Sequence, residues 1–140
     1  MSRVIRFDWL VYNLRMNNTE LLKAGRDILL SLHKSLVDLE RANYEALYGS
    51  TTAGEFLNLL LENPNFAWLR RFSTLIVDID EMFAQKDGFT EEAVGVHLLK
   101  LRELVAMEGF DDDFTARYSA ALQHDSDSAA KHGELRSLLS

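Results

Sequence analysis

The segment from Thr19 to Leu47 constrains the fold more than any other part of the chain. Its apolar residues recur at steps of three and four, which is the spacing of one helical face, and no proline interrupts it. A helix of about thirty residues is roughly 40 Å long, so the other elements must pack along it. We expect Asn18 or Thr19 to cap its start and Gly49 to end it. The apolar face consists of Leu21, Leu22, Gly25, Ile28, Leu29, Leu32, Leu36, Leu39, Ala46 and Leu47.

Two more helices are predicted in the next part of the chain. The first covers residues 53–62, because Thr52 followed by Glu55 matches a capping box. The second covers residues 65–85, directly after the only proline of the chain, Pro64. Its apolar residues recur at three and four residue steps, which predicts a helix with one buried face.

The C-terminal third of the chain contains two further helix signals. Thr90 is a favourable N-cap, and the helix that follows it should end at Gly109. Asp111 or Asp112 should cap a fifth helix that continues to about Gln123. All predicted connections are short, and short connections make successive helices antiparallel neighbours.

These patterns and the composition together predict an all-α fold. Outside the first fifteen residues there is no alternating run rich in Val, Ile and Thr, and Leu, Ala, Glu, Lys and Arg dominate. We expect a bundle of four to five main helices, mostly antiparallel, with an apolar N-terminal arm. Residues 1–17 form this arm or an extension that does not belong to the protein, residues 18–123 form the bundle domain, and residues 124–140 form a weak helix or frayed tail.

The first fifteen residues are unusually apolar for a chain end. Val4, Ile5, Phe7, Trp9, Leu10, Val11, Tyr12 and Leu14 occur within eleven positions. We expect such a segment to pack on the bundle or on a partner, with Trp9 as a contact residue. A second interpretation also fits: Met16 directly precedes the helix start "NNTELL", so translation can begin there.

Composition argues against several functional classes. The chain has 140 residues, a net charge of −7 and no cysteine, which opposes nucleic-acid binding and removes thiolate chemistry. Its longest apolar runs are too short to cross a membrane, and the N-terminus lacks the pattern of a signal peptide. We therefore expect a cytoplasmic protein that binds neither nucleic acid nor membrane.

No motif in the sequence indicates catalysis or a bound metal. The chain lacks the Gly-x-Ser-x-Gly nucleophile elbow and a Gly-rich phosphate loop. The Glu-x-x-His pairs that bind metals within helical bundles are also missing, because Leu30, Val94, Ala121 and Ala129 stand three positions before the four histidines. We expect no catalytic residue, no metal and no cofactor, and therefore a protein that is not an enzyme.

Three residues are candidates for holding a small ligand. His97 falls within the apolar face of the fourth predicted helix, where an imidazole can act as an axial ligand or a pH switch. Trp68 and Phe72 lie on the apolar face of the third and can line an apolar pocket. The competing interpretation is that all three are ordinary core residues, because stripes at this spacing are what a core requires.

Protein interaction is the leading functional prediction. Leu30, Val37 and Tyr44 form a second apolar strip on the long helix, outside its main face, and such a surplus strip suggests a partner. We expect a homodimer through this helix, with an unidentified protein partner as a further option. Asn43 falls within the main face, where a single asparagine can set subunit pairing. Residues 108–127 carry a net charge of −5 and are interpreted as a solvated acidic turn or as a surface for basic partners.

Two stretches also carry a resemblance. The run "NPNFAWLRRFSTLIVDIDE", preceded by "LLKAGRDILLSLHKSLVDLERANYE", is similar to a group of small bacterial all-helical proteins of uncharacterised function. The similarity covers residues 21–83. It implies a bacterial, cytoplasmic helical domain, and it implies no activity and no site residue.

Overall fold

The computed structural model describes residues 16–140, and this part of the chain contains helices and no strand. The all-α prediction is therefore confirmed at the level of fold class. The predicted N-terminal arm, including Trp9, lies outside the described residues. The elements are α1 (Asn18–Tyr48), α2 (Ala53–Glu62), a 3₁₀ turn (Pro64–Phe66), α3 (Ala67–Phe83), α4 (Glu91–Ala106), α5 (Asp112–His124) and α6 (Ser126–Leu139).

Local capping interactions set where the helices begin. Asn17 caps α1, with its Oδ1 accepting a hydrogen bond from the backbone N–H of Glu20 at 2.8 Å. The cap therefore lies one residue before Asn18, the earlier of the two predicted positions. Asn17 fits this role because a capping side chain binds the N–H three residues after it. Thr52 and Thr90 cap α2 and α4 as predicted.

The end of α4 differs from the prediction. Met107, not Gly109, adopts the left-handed conformation that ends the helix, with φ of 60°. The N–H groups of Met107 and Glu108 bind the carbonyls of Leu104 and Glu103, which satisfies the last turn in the manner of a C-terminal cap. Gly109 follows with φ of 78° and continues the turn.

The C-terminal segment forms a sixth regular helix, one more than the four to five that were predicted. Its sequence pattern is weak because small and polar residues occupy much of its buried side, including Ser128. The helix is nevertheless part of the core, since Leu135 and Leu139 are buried. Lys131 and Asp127 on α6 both bind the hydroxyl of Ser35 on α1, which adds polar contacts to this interface.

Helix α1 is the element that the other long helices share. It packs against α3, α4 and α6, and its buried residues include Leu22, Leu29, Leu32 and Leu36. Gly25 marks the closest approach: a Cβ atom built there would lie 2.7 Å from Leu101 Cδ2 on α4 and 3.8 Å from Leu135 Cδ1 on α6. Both leucines are fully buried. The three helices therefore meet where α1 has no side chain.

Three contacts give the register between α1 and α3. Lys23 Nζ lies 5.3 Å from the ring centroid of Phe83, Arg26 forms an ion pair with Asp80 at 2.8 Å, and the rings of His33 and Phe72 are 6.5 Å apart. Residue numbers rise along α1 as they fall along α3. Within residues 16–140, no helix is both long and apolar enough to cross a membrane.

The packing at Gly25 leads to a stability prediction. Replacing glycine by alanine within a helix normally stabilises it by about 1 kcal/mol, but an added methyl group in a tightly packed core costs about 1–3 kcal/mol. We expect Gly25→Ala to lower the free energy of unfolding by about 1 kcal/mol in urea titrations.

Gly133→Ala on α6 is the matched control for this substitution. A Cβ atom at Gly133 would meet nothing within 4 Å, so this variant should be about 0.5–1 kcal/mol more stable than the parent protein. If Gly25→Ala proves as stable as Gly133→Ala, the close approach of α1, α4 and α6 is wrong.

Candidate functional site

The predicted ligand residues Trp68 and Phe72 lie in the hydrophobic core. Their side chains are only 3% and 0% exposed, and their ring centroids are 6.1 Å apart in an edge-to-face arrangement. Both rings pack against Phe114 and Tyr118 of α5. Aromatic pairs at this separation stabilise a core beyond simple burial, so the cluster has a clear packing role.

His97 occupies a different environment from these two aromatic residues. It is half-buried on α4, and its Nδ1 lies 2.8 Å from the carbonyl oxygen of Ala93, which accepts a hydrogen bond from the Nδ1–H tautomer. Within the described part of the chain, no ring contact or hydrogen bond joins His97 to Trp68 or Phe72. The Nε2 atom is then the nitrogen that retains a lone pair for another group.

One polar atom of the aromatic cluster has no partner. Trp68 Nε1 is a buried donor, and among residues 16–140 it is the only buried side-chain nitrogen or oxygen without a hydrogen bond. A buried donor left unpaired is costly, on the order of 1–3 kcal/mol. Such a group can be satisfied by a water molecule or a ligand atom that reaches it.

A tyrosine–histidine pair lies beside this cluster and was not found from the sequence. The hydroxyl of Tyr118 lies 2.6 Å from Nδ1 of His132 on α6, and the two rings meet edge to face at 5.3 Å. Burial raises the pKa of Tyr118, while burial and the nearby Arg136 lower the pKa of His132. Both shifts favour the neutral forms of the two side chains, and the Tyr118 hydroxyl donates to His132 when the imidazole proton is on Nε2. No spacing of residues in the sequence predicts this pair, because its two members lie on different helices.

A cleft with a volume of about 540 Å³ lies between α3 and α4. Its floor includes Leu75, Leu104 and Phe110, and charged side chains of both signs stand on its walls. Arg71 stacks over the ring of Phe110 at 5.8 Å, as an arginine at the rim of an apolar surface often does. The full lining consists of Ala67, Arg70, Arg71, Thr74, Leu75, Asp78, Lys100, Glu103, Leu104 and Phe110.

A second groove of about 430 Å³ lies between α1 and α5. Asn43 is exposed on its wall, so the prediction that Asn43 falls within the apolar face is wrong for the single chain. The reason is that this side of the last turns of α1 is uncovered, as the exposure of Ala46 also shows, whereas Tyr44 on another side packs against Phe56. Burial raises the pKa of Glu40 in this groove, and the charge of Arg117 opposes that shift.

The acidic residues of segment 108–127 mostly serve the start of helices. Asp111 and Asp125 cap α5 and α6 by accepting from the backbone N–H groups of Phe114 and Ser128, and acids are favoured at these positive helix ends. Asp127 binds Ser35 and Lys131, and the hydrogen bond from Ser35 is the main reason that its pKa is lowered. These contacts within the chain explain the presence of several acidic residues in this segment without requiring a basic partner.

The predicted interface residues divide into exposed and covered positions. Leu30 is 42% exposed and Val37 is partly exposed. Tyr44 instead packs within the chain, against the rings of Tyr48, Phe56 and Phe66. The large apolar residues with substantial exposure are Leu30, Leu47, Tyr48, Leu57, Leu61, Val77, Phe89, Val96 and Leu99.

Neither metal chemistry nor similarity to other proteins supplies a further assignment. Among residues 16–140, no group of three or more His, Asp or Glu side chains is placed to hold a metal ion. Comparison of the chain with protein-family models, with curated proteins and with solved structures gives no match.

Two half-buried histidines, His33 and His132, predict how stability depends on pH. Burial lowers the pKa of His33 and of His132 in the folded chain. Below about pH 6.5 the unfolded chain therefore binds more protons at these two residues than the folded chain does. The free energy of unfolding is highest above this pH and declines as the pH falls below it. We expect urea unfolding to show a lower free energy of unfolding at pH 5 than at pH 8.

His132→Gln should reduce this difference, because glutamine does not titrate and its side-chain oxygen can still accept from Tyr118. His124→Gln is the control, since His124 is exposed on α5 and forms no hydrogen bond through its side chain with the described residues. An unchanged pH response in His132→Gln would show that the Tyr118–His132 pair contributes nothing to it.

Proposed function

We propose that this chain is a non-enzymatic helical interaction or scaffold protein of the cytoplasm, and that it acts as a homodimer through α1. The observation that carries this proposal is an uncovered apolar surface on the outer side of α1 and α3. A large exposed apolar surface on a helical domain is typical of an interaction site. We also propose that the helices form a mostly antiparallel bundle. The contacts between α1 and α3 support this arrangement, because residue numbers rise along α1 as they fall along α3.

The Arg26–Asp80 ion pair, with 2.8 Å between its closest atoms, locates this surface. Leu30 follows Arg26 by one turn on α1, and Val77 precedes Asp80 by one turn on α3. Because the two helices run in opposite directions past this ion pair, both exposed side chains lie on its same side. Val37 continues the strip two turns after Leu30.

Helix α2 lies against the end of the same outer surface. Arg70 of α3 donates to the carbonyl oxygen of Leu60 at 2.7 Å, and Arg41 of α1 lies 5.9 Å from the ring centroid of Phe56. On α2, Leu57 and Leu61 are more than half exposed and one turn apart. The outer surface therefore gains further apolar area at this end.

A two-fold dimer suits a surface of this kind. In such a dimer the same patch is used by both copies, so one apolar strip is covered by its own equivalent. Stable interfaces bury roughly 800 Å² on each partner, and a 31-residue helix offers enough length for that contact. Ion pairs at the rim, such as Arg26–Asp80, would add orientation more than affinity.

A second candidate function is the binding of a small apolar or haem-like ligand near Trp68, Phe72 and His97. The observation that favours it is the unpaired Nε1 of buried Trp68. The cleft between α3 and α4 begins at Ala67, which is adjacent to Trp68 in the chain. Trp68 itself is not part of the lining, so a ligand that bonds to its Nε1 would have to pass beyond the present walls of the cleft.

The dimer proposal predicts a specific assembly defect. Untagged, gently purified protein should give a dimer of bare chain mass in native mass spectrometry. Leu30→Glu combined with Val37→Glu should give monomers with unchanged helical circular dichroism, because two buried, unpaired carboxylates at an interface are strongly unfavourable.

Ser31→Glu is the matched control for the dimer test. Ser31 is exposed on α1 but lies on the opposite flank from Leu30, so this variant should remain dimeric. A parent protein that is monomeric at micromolar concentration, or a Leu30→Glu/Val37→Glu variant that stays dimeric, would contradict the proposed interface.

The second candidate predicts a different result in the same spectrum. A bound ligand would add mass to the native protein and this mass would be lost on denaturation. His97→Ala should then release the ligand, whereas His124→Ala should retain it. A native mass equal to that of the polypeptide alone, for monomer or dimer, would contradict ligand binding.

A further inference from the structure

The groove between α1 and α5 contains a half-buried carboxylate without a partner. Glu40 lines this groove on the α1 side, and it forms no hydrogen bond and no ion pair with the residues that the structure describes. Burial raises the pKa of Glu40, and the charge of Arg117 on the α5 side opposes that shift. The two charged groups are therefore near each other without direct contact. A partly desolvated carboxylate that lacks a partner is unfavourable, so a cationic group in the groove would be stabilised by it.

Arg117 is fixed in position by groups other than Glu40. Its Nε donates to the carboxylate of Asp113 at 3.0 Å, and its Nη1 donates to the backbone carbonyl oxygen of Asn65 at 3.1 Å. Its Nη2 has no acceptor in the described part of the chain. Because a guanidinium carries several N–H donors in a rigid fork, this side chain is held in place with donors left for an anionic group.

Two contacts give the relative direction of α1 and α5 along the groove. Arg117 binds the residue before Phe66, and Phe66 packs on Tyr44 of α1 with ring centroids 6.2 Å apart. Asp127, just after the end of α5, accepts a hydrogen bond from Ser35 in the middle of α1. The Arg117 side of the groove therefore lies toward the end of α1.

Donors and acceptors are consequently separated along the groove. Asn43 lies one turn after Glu40 on α1, about 4.5 Å further along the helix axis, and thus toward Arg117. Its side chain forms no hydrogen bond with the described residues, so its amide N–H groups can donate to the same anionic group as Arg117. One end of the groove offers a cation and N–H donors, and the next turn of α1 offers an anionic acceptor.

The remaining lining is apolar apart from His124. Leu39 on α1 is half-buried, Ala121 on α5 is buried, and Ala120 is exposed beside it. The small side chains of the two alanines leave space for an aliphatic group. The volume of about 430 Å³ falls within the range of about 300–1,000 Å³ that is typical of small-molecule sites.

We propose that this groove binds a free α-amino acid with an aliphatic side chain. The ammonium group of the ligand pairs with Glu40, and its carboxylate accepts hydrogen bonds from Arg117 Nη2 and from the amide of Asn43. Its side chain packs on Leu39 and Ala121. The two charges of an α-amino acid lie close together, so one small molecule can satisfy both ends of the groove.

Other ligand classes match these groups less well. A simple amine leaves the free donors of Arg117 unused, and a simple anion is repelled by Glu40. A divalent cation is repelled by Arg117, and within residues 16–140 no group of three His, Asp or Glu side chains is placed to hold one.

This inference goes beyond the proposed homodimer and the second candidate function, and it depends on neither. The dimer uses Leu30 and Val37, and the haem-like ligand lies near Trp68. Binding in the groove is measured at residues of α1 and α5 that line it, so its outcome is separate from the oligomeric state.

Titration of the isotope-labelled full chain with L-leucine, followed by heteronuclear NMR, tests the proposal. We expect saturable shifts of the amide signals of residues 39–43 and 117–121, with a Kd below about 1 mM. N-acetyl-L-leucine lacks the ammonium group and L-leucinamide lacks the carboxylate, so each should bind at least about tenfold more weakly. The absence of a saturable shift at about 10 mM L-leucine, or equally tight binding of either analogue, would overturn the proposal.

Two variants locate the site. Glu40→Gln removes the charge that pairs with the ammonium group, so it should weaken L-leucine binding at least about tenfold while the amide signals of α3 and α4 stay unchanged. Asp38→Asn is the matched control, because Asp38 is exposed on α1 and, two residues before Glu40, points away from the groove. This control should bind L-leucine as the parent protein does. Equal binding by the two variants would overturn the assignment of Glu40.

Discussion

The close approach of three helices at Gly25 is the constraint on which the rest of the structure depends. Leu101 of α4 and Leu135 of α6 both come near the Cα atom of this glycine, and each is fully buried. A side chain at Gly25 would displace the Leu101 side chain or move α4 away from α1, because a Cβ atom there would lie 2.7 Å from Leu101 Cδ2. Since α1 also packs against α3, this contact sets how closely α4 and α6 can approach the helix that all three share. Protein interiors are packed densely enough that such a shift would not remain local.

Polar contacts at the edges of the core fix how far each helix slides along α1. Arg26 binds Asp80 of α3 with two hydrogen bonds of 2.8 Å, and Ser35 binds Asp127 and Lys131 of α6. Exposed ion pairs contribute little to stability by themselves, but apolar packing is tolerant of small displacements, whereas a bidentate arginine–carboxylate pair has a defined geometry. The outer positions of Leu30 and Val77 follow from this register.

In the described part of the chain, the features that can bind a partner are mainly exposed apolar side chains on the surface. Trp68 and Phe72 pack in the core with Phe114 and Tyr118, and within that core only Trp68 Nε1 lacks a partner. The outer surface of α1 and α3, with the exposed side chains of Leu30 and Val77, is the surface that we propose for a second copy of the chain.

Local interactions decided what could be predicted from the sequence. The span of α2, the caps Thr52 and Thr90, and the burial of Trp68 and Phe72 all depend on neighbours within a few residues or on helical periodicity, so the sequence by itself determined the fold class and most helix positions. The contacts of Gly25, the Tyr118–His132 pair and the burial of α6 join residues far apart in the chain. Asn43 is exposed because no neighbouring helix covers its side of α1. Only the tertiary structure decided these features, since periodicity shows which face of a helix is apolar but not which other helix covers it.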